Sequence, residues 1–345
     1  MSIKSLHPIL NLLFILLLIS SGPTFAKDAH DHQWQLDDVL LSDTLPFAIG
    51  HRGYGENLGE DPDKPIENTV TSVTQAFREG VQIIEVDVVM TKDKHIVALH
   101  DDYLDDFTCV NTLKFKQLKK RLDQVSSLKR ILQTARQFTQ KRHTDRPSGQ
   151  VIIEIKTPSP LCDPADATLP TLVKNVLNTI KHTKMDNQVL IESFSPEILA
   201  LAKEESPNIP TMLTLSLLQL LTAEQVEAVT GLPVVLIDKD AGFGLQWAEI
   251  GPFFRLPAYP LINEYIQTLL QTDALAASLD SLFLGQAEQT LPGSGSDFIN
   301  QLHLLGLSVL VYTIDTEPEW LFYSSLGADG IYTNNIPLGL TLEGQ

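Results

Sequence analysis

Gln82-Ile83-Ile84-Glu85-Val86-Asp87-Val88-Val89-Met90 decides how the rest of the chain is read. Ile83, Ile84, Val86 and Val88 make the stretch apolar on both faces, the pattern of a strand buried in a parallel sheet. Two acids stand in it at a spacing of two, so Glu85 and Asp87 project to the same side. Acids in strands more often line a solvated face, but here both faces are apolar. Two adjacent carboxylates repel each other unless a cation sits between them. The stretch therefore predicts a parallel sheet and a bound cation together.

Working outward, Phe47-Ala48-Ile49-Gly50 reads as a strand, and residues 69–79 read as a helix closed by Gly80. A tight turn at Lys92-Asp93-Lys94 leads into a returning strand, 95–99. Helices are predicted over 127–141, 169–182 and 196–204, the last entered at Pro196. Further strands are predicted over 151–155, 189–194, 211–215, 234–237, 279–284, 308–313 and 330–333. Strand alternating with helix argues a parallel sheet. The number of units favours closure into a TIM-like (β/α)8 barrel over residues 46–340. Residues 238–278 fit this pattern worst. Gly242, Gly244, Gly251, Pro252, Pro257 and Pro260 punctuate an irregular insertion there, in the C-terminal half. A chain of 345 residues accommodates one such barrel or two small domains, and 43 % hydrophobic content suffices for a large core.

Residues 1–26 read as a signal peptide: Lys4, an apolar run from Ile9 to Ile19, then Thr24-Phe25-Ala26 as a cleavage site. The alternative is a membrane anchor, but the run is too short for ~30 Å of hydrocarbon. Export, periplasmic or secreted, is expected. Residues 27–45 read as a polar lead-in, with His30 and His32 on an exposed tail. A net charge of −18 argues against nucleic acid as a partner. It also makes cations close to the motifs informative, since an anion site needs local positive charge.

Four motifs fall at strand ends: His51-Arg52-Gly53, Glu85-Val86-Asp87, His100-Asp101 and Glu154-Ile155-Lys156. In a closed parallel barrel the C-terminal strand ends share one rim. Glu85, Asp87 and Glu154 meet there as hard oxygen ligands, suited to Ca²⁺ or Mg²⁺.

In order along the chain, these motifs with Pro65-Ile66-Glu67-Asn68-Thr69, Ser193-Phe194, Val311-Tyr312-Thr313-Ile314-Asp315 and Gly327 to Asn334 resemble the glycerophosphodiester phosphodiesterases. The resemblance spans residues 46–337. It departs in the long acidic loop 54–64, a short segment after Asp101 and a long stretch at 216–278. It implies Glu85, Asp87 and Glu154 as ligands of one divalent cation, His51 and His100 as an acid–base pair, and Arg52 and Lys156 as phosphate contacts. Histidine suits proton transfer near neutrality; Arg offers a planar fork and Lys a point charge. Asn68 is either a helix N-cap or a substrate contact. The implied reaction is in-line hydrolysis of a small glycerophosphodiester to glycerol 3-phosphate and an alcohol. The nucleophile is water or the glycerol 2-hydroxyl, and either histidine is the base.

Two other readings compete. A barrel phospholipase would need an exposed apolar loop, which Phe243, Trp247, Phe253, Phe254, Leu256 and Tyr259 could form unless they pack as a satellite cluster. A non-catalytic binding protein on a degenerate barrel would lack one of the acids or histidines; all five are present. The only cysteines, Cys109 and Cys162, follow Asp101 and Lys156 in loops leaving the same rim. In an exported protein they are expected to form a disulfide rather than two free thiols. Oligomeric state is not legible.

Overall fold

The computed structural model describes residues 45–140, 147–221 and 261–344, with Leu36, Leu40 and a few positions between 225 and 259. The expected signal peptide, His30, His32 and most of the aromatic insertion lie outside these residues. Among the described residues, no helix is long and apolar enough to cross a membrane.

Eight parallel strands form the sheet: β1 (Phe47–Gly50), β2 (Ile83–Met90), β3 (Gln150–Ile155), β4 (Val189–Ser193), β5 (Thr211–Leu215), β6 (Ala276–Asp280), β7 (Ser308–Tyr312) and β8 (Gly330–Thr333). Each pairs with the next, and β1 pairs with both β8 and β2, which closes the barrel. Alternation along each strand sorts the core into two layers. Ile83 lies inside with Phe47, Ile49, Ile152, Leu190 and Met212. Ile84, Val86 and Val88 lie outside, in one cluster with apolar residues of the surrounding helices such as Val73 and Phe77. Leu36 and Leu40 of the lead-in are buried in the inner cluster, so the lead-in is not loose at these two positions.

Two features of the fold serve the rim. Strand Ile96–Ala98 runs antiparallel to β2, pairing Ala98 with Val88, and brings His100 back beside the C-terminal end of β2. Helix α1 (Val70–Glu79) is capped by Thr69, whose hydroxyl accepts from Ser72 N. Asn68 is therefore not the cap; it sits one residue earlier with φ 55°.

The barrel also departs from the expected element boundaries. The strand expected at 279–284 is β6, which begins three residues earlier and ends four earlier, and helix Ser281–Thr290 occupies most of the expected range. Asp280 caps that helix by accepting from Leu282 N. Leu279, Leu282 and Leu284 run apolar through both elements, so pattern alone could not find the junction. The expected insertion ends sooner as well. Helix Ile262–Gln271 buries Tyr265 and Leu269 and leads directly into β6. Val234–Val235 pairs with Phe243–Leu245 in a small antiparallel sheet outside the barrel.

Candidate active site

β2 and β3 bring the three predicted acids together. Glu85, Asp87 and Glu154 are buried and offer oxygens within 4.8 Å of one another. Register explains the meeting: Asp87 pairs with Glu154 across the β2–β3 ladder, and Glu85 stands one inward position below Asp87. Lys156 Nζ lies 3.1 Å from Asp87 Oδ1 and 2.8 Å from Glu154 Oε1. The Arg52 guanidinium also approaches, its Nε 3.5 Å from Asp87 Oδ2, yet the three carboxylates still outnumber the two basic side chains, and a bound cation would offset the excess negative charge. Glu85 Oε2 accepts from Arg52 N at 2.9 Å, while Glu85 Oε1 is buried without a hydrogen-bond partner. An orphaned buried carboxylate oxygen is costly unless something binds it. The donor set, all hard oxygen, fits Ca²⁺ or Mg²⁺.

Electrostatics divide the three acids. Burial, and then repulsion from Asp87 and Glu154, raise Glu85 well above the usual carboxylate range. Burial pushes Glu154 up to about 7 against the attraction of Lys156. Burial also opposes ionisation of Asp87, but Lys156, His100 and Arg52 outweigh it and hold that group below the usual range. Without a cation, two of the three acids thus resist carrying their charge.

The two histidines sit at the same rim with different partners. His51 Nδ1 lies 2.8 Å from Asn334 Oδ1. Asn334 is oriented by Asp315, since its Nδ2 donates to Asp315 Oδ2 at 2.9 Å and a carboxylate only accepts. The amide oxygen facing His51 therefore requires the proton on Nδ1 and leaves the Nε2 lone pair free. Burial, then the neighbouring Arg52 charge, lowers His51 to about 4, so the ring is neutral at pH 7. His100 Nδ1 faces Asp101 Oδ1 at 2.9 Å. A carboxylate only accepts, so Nδ1 carries a proton and Nε2 is left outside the pair.

Arg52 carries φ 51° and donates through Nη1 to Glu67 Oε1 at 2.9 Å. Burial works against its charge, yet Asp87, Glu67 and Glu85 raise it further, and it stays cationic. Lys156 is held cationic by Asp87 and Glu154 against burial in the same way. The Cys109–Cys162 disulfide, with Cα atoms 5.4 Å apart, joins the loop after His100 to the loop after Lys156. Asp102 Oδ2 accepts from Ser159 N between the same two loops at 2.8 Å.

Several site residues escaped the sequence reading. Glu192, buried in β4 beside Glu154, accepts from Thr214 Oγ1 at 2.7 Å and Tyr332 OH at 2.8 Å. Burial raises it above the usual range. It helps line a cavity of about 30 Å³ with His51, Glu85, Glu154, Phe194 and Tyr312. The argument that exposed Glu85 also applies to Val189-Leu190-Ile191-Glu192, an acid in an apolar strand. Asn334 and Asp315 fall inside two of the motifs of the resemblance, but the sequence gives them no role, because their meeting with His51 depends on barrel closure.

A closed (β/α)8 barrel with acids, histidines and cations gathered on its C-terminal rim places this molecule among the TIM-barrel enzymes. Solved structures sharing the fold include a glycerophosphodiester phosphodiesterase of Thermotoga maritima (TM-score 0.57, 16 % identity, covering 86 % of this chain and 97 % of that one). Another is an Oleispira antarctica phosphodiesterase in complex with the product sn-glycerol-3-phosphate (TM-score 0.57, 18 % identity, 86 % and 97 %). Residues 51–338 match the glycerophosphoryl diester phosphodiesterase family, and the chain belongs to it. A Bacillus subtilis glycerophosphodiester phosphodiesterase is 30 % identical over 204 residues, which cover 55 % of this chain and 64 % of that protein. A human lysophospholipase D is 23 % identical over 298 residues, covering 84 % and 83 %.

Proposed function

We propose that the chain is an exported, metal-dependent phosphodiesterase that cleaves small glycerophosphodiesters to glycerol 3-phosphate and an alcohol. One observation carries the reading: three buried carboxylates, two differently partnered histidines and two cations share one rim. Export is supported by the predicted signal peptide and by the pairing of the only two cysteines.

Glu85, Asp87 and Glu154 would hold the cation, which supplies charge stabilisation for a phosphate oxygen when bound. Arg52 and Lys156 bind the remaining phosphate oxygens, one as a fork and one as a point charge. His51, neutral with a free Nε2, accepts the proton of the attacking hydroxyl, whether water or the glycerol 2-hydroxyl. His100, with Asp101 behind it, donates from Nε2 to the departing alkoxide. The His51 tautomer supports this order, because its Nε2 lone pair is free to take up a proton.

A second reading, cleavage of lysophospholipids, is supported by the name of the human relative. Exposed Phe107 and Leu161, in the two disulfide-joined loops, also favour it. Turnover of glycerophosphocholine, glycerophosphoethanolamine and lysophosphatidylcholine, with and without EDTA, tests both. Full activity in metal-stripped enzyme would sink the metal mechanism. Turnover of the lysolipid alone would replace the first substrate class with the second.

A further inference from the structure

Glu67 and Asn68 are adjacent in sequence, both buried, and bonded to different parts of the site. Glu67 Oε1 accepts from Arg52 Nη1 at 2.9 Å, and its Oε2 accepts from Asn57 N at 3.1 Å. Asn68 grips Asp87 with both ends of its amide. Its Nδ2 donates to Asp87 Oδ2 at 2.9 Å, and its Oδ1 accepts from Asp87 N at 3.1 Å. The left-handed φ of 55° at Asn68 lets its own N–H donate to Arg52 O at 2.9 Å. Asparagine tolerates that conformation better than most residues with a side chain. Thr69 then caps α1, so a rigid element begins immediately after the pair.

We propose that Glu67 and Asn68 form a two-residue brace that fixes the Arg52 guanidinium, which binds phosphate, against the Asp87 carboxylate, which binds metal. Both are positioning residues, acting through Arg52 and Asp87 respectively. The chemistry sets what each one does. Asn68 commits one Asp87 oxygen, Lys156 approaches the other, and the carboxylate is held in one rotamer toward the cation. Glu67 commits Arg52 Nη1, while Arg52 Nε lies 3.5 Å from Asp87 Oδ2 as an ion pair but makes no hydrogen bond, so this buried donor has capacity for a phosphate oxygen. The brace thus sets the spacing between a phosphate's two points of attachment. It rests on the proposed phosphodiesterase reading for the identity of the anion, but not for the contacts themselves.

Two near-isosteric variants separate the two halves. Asn68→Asp keeps the left-handed backbone and the acceptor for Asp87 N, but faces Asp87 Oδ2 with a carboxylate oxygen. Its Kd for Ca²⁺ or Mg²⁺, by titration calorimetry, is expected to rise about 10–100-fold, the usual effect of losing an outer-shell partner. At saturating metal its KM for glycerophosphocholine should stay close to wild type. Glu67→Gln keeps the shape and removes the charge opposite Arg52. Its metal Kd should stay within about twofold of wild type. Its KM and its Ki for inorganic phosphate should rise roughly tenfold, the scale of one charge-assisted hydrogen bond. Wild-type values for both variants would overturn the brace. So would parallel loss of metal and phosphate binding with a lowered Tm in both, which marks a general folding role. If wild type fails to hydrolyse the diester, the substrate reading falls, and the metal and phosphate titrations still decide the brace.

Discussion

Glu154→Gln should make the metal-free protein more stable at pH 8 while removing its ability to be stabilised by metal. Burial pushes the Glu154 pKa up to about 7 in the fold, against 4.5 for a free glutamate. That difference is worth about 3 kcal/mol. The sign follows from linkage. Below pH 4.5 the group is protonated folded and unfolded, and costs nothing. As pH rises from 4.5 through 7, the unfolded chain releases the proton first, so stability falls. Above pH 7 the full ~3 kcal/mol is lost unless a cation stands beside the charge. His51, lowered to about 4, slopes the other way over nearly the same window, since its stability is lost as pH falls from 6.5 through 4. Glu85 and Glu192, also raised by burial, slope with Glu154, so it is the difference between variant and wild type that isolates Glu154. In EDTA at pH 8, Glu154→Gln should raise Tm by ~6 °C, and the gain should vanish near pH 4.5. Adding millimolar Ca²⁺ or Mg²⁺ should raise the wild-type Tm more at pH 8 than at pH 5, and leave the variant nearly unmoved. Calorimetry or circular dichroism across pH 4.5–8 reads all of this. A variant no more stable than wild type in EDTA at pH 8, or a metal effect of equal size at both pH values, would refute the reasoning.

Other consequences can be measured independently. His51→Ala and His100→Ala should each lower kcat by roughly 10²–10⁴ with smaller changes in KM, and a variant of near wild-type kcat is not one of the pair. Asn334→Ala should lower kcat as well by freeing the His51 ring, with metal affinity unchanged by calorimetry. Reducing Cys109–Cys162, which closes a separation of 53 residues, should cost about 4 kcal/mol in the loop-entropy account. It should also lower kcat, because the bond joins the loops after His100 and Lys156; a reduced enzyme with unchanged kcat would confine the bond to stability.

Much of this site was legible because apolar strands do not hide charges. Glu85 and Asp87 betrayed themselves by standing in a stretch with no solvated face, and Glu154 followed from a motif of the same kind. The eight strands were legible where apolar runs were bounded by turns. They were misplaced at β6, where a continuous apolar run crossed a strand–helix junction that only the Asp280 cap marks. Glu192 had the same signature as Glu85 but no second acid two residues away to draw notice. Asn68 reads from sequence as either a cap or a substrate contact, because both look alike there; the neighbouring Thr69 takes the cap.

The sequence by itself determined which side chains share a face and which elements alternate, because periods of two and 3.6 are local properties of the backbone. That was enough for a parallel barrel and for the acids, histidines and cations on its rim. The tertiary structure alone decided how those residues are partnered. Asn334 reaches His51 across 283 positions, and Tyr332 reaches Glu192 across 140, only because β8 closes against β1. Those contacts set which histidine nitrogen keeps its lone pair and which buried acid keeps its proton. Protonation depends on burial and on neighbours distant in sequence, and no local pattern records either.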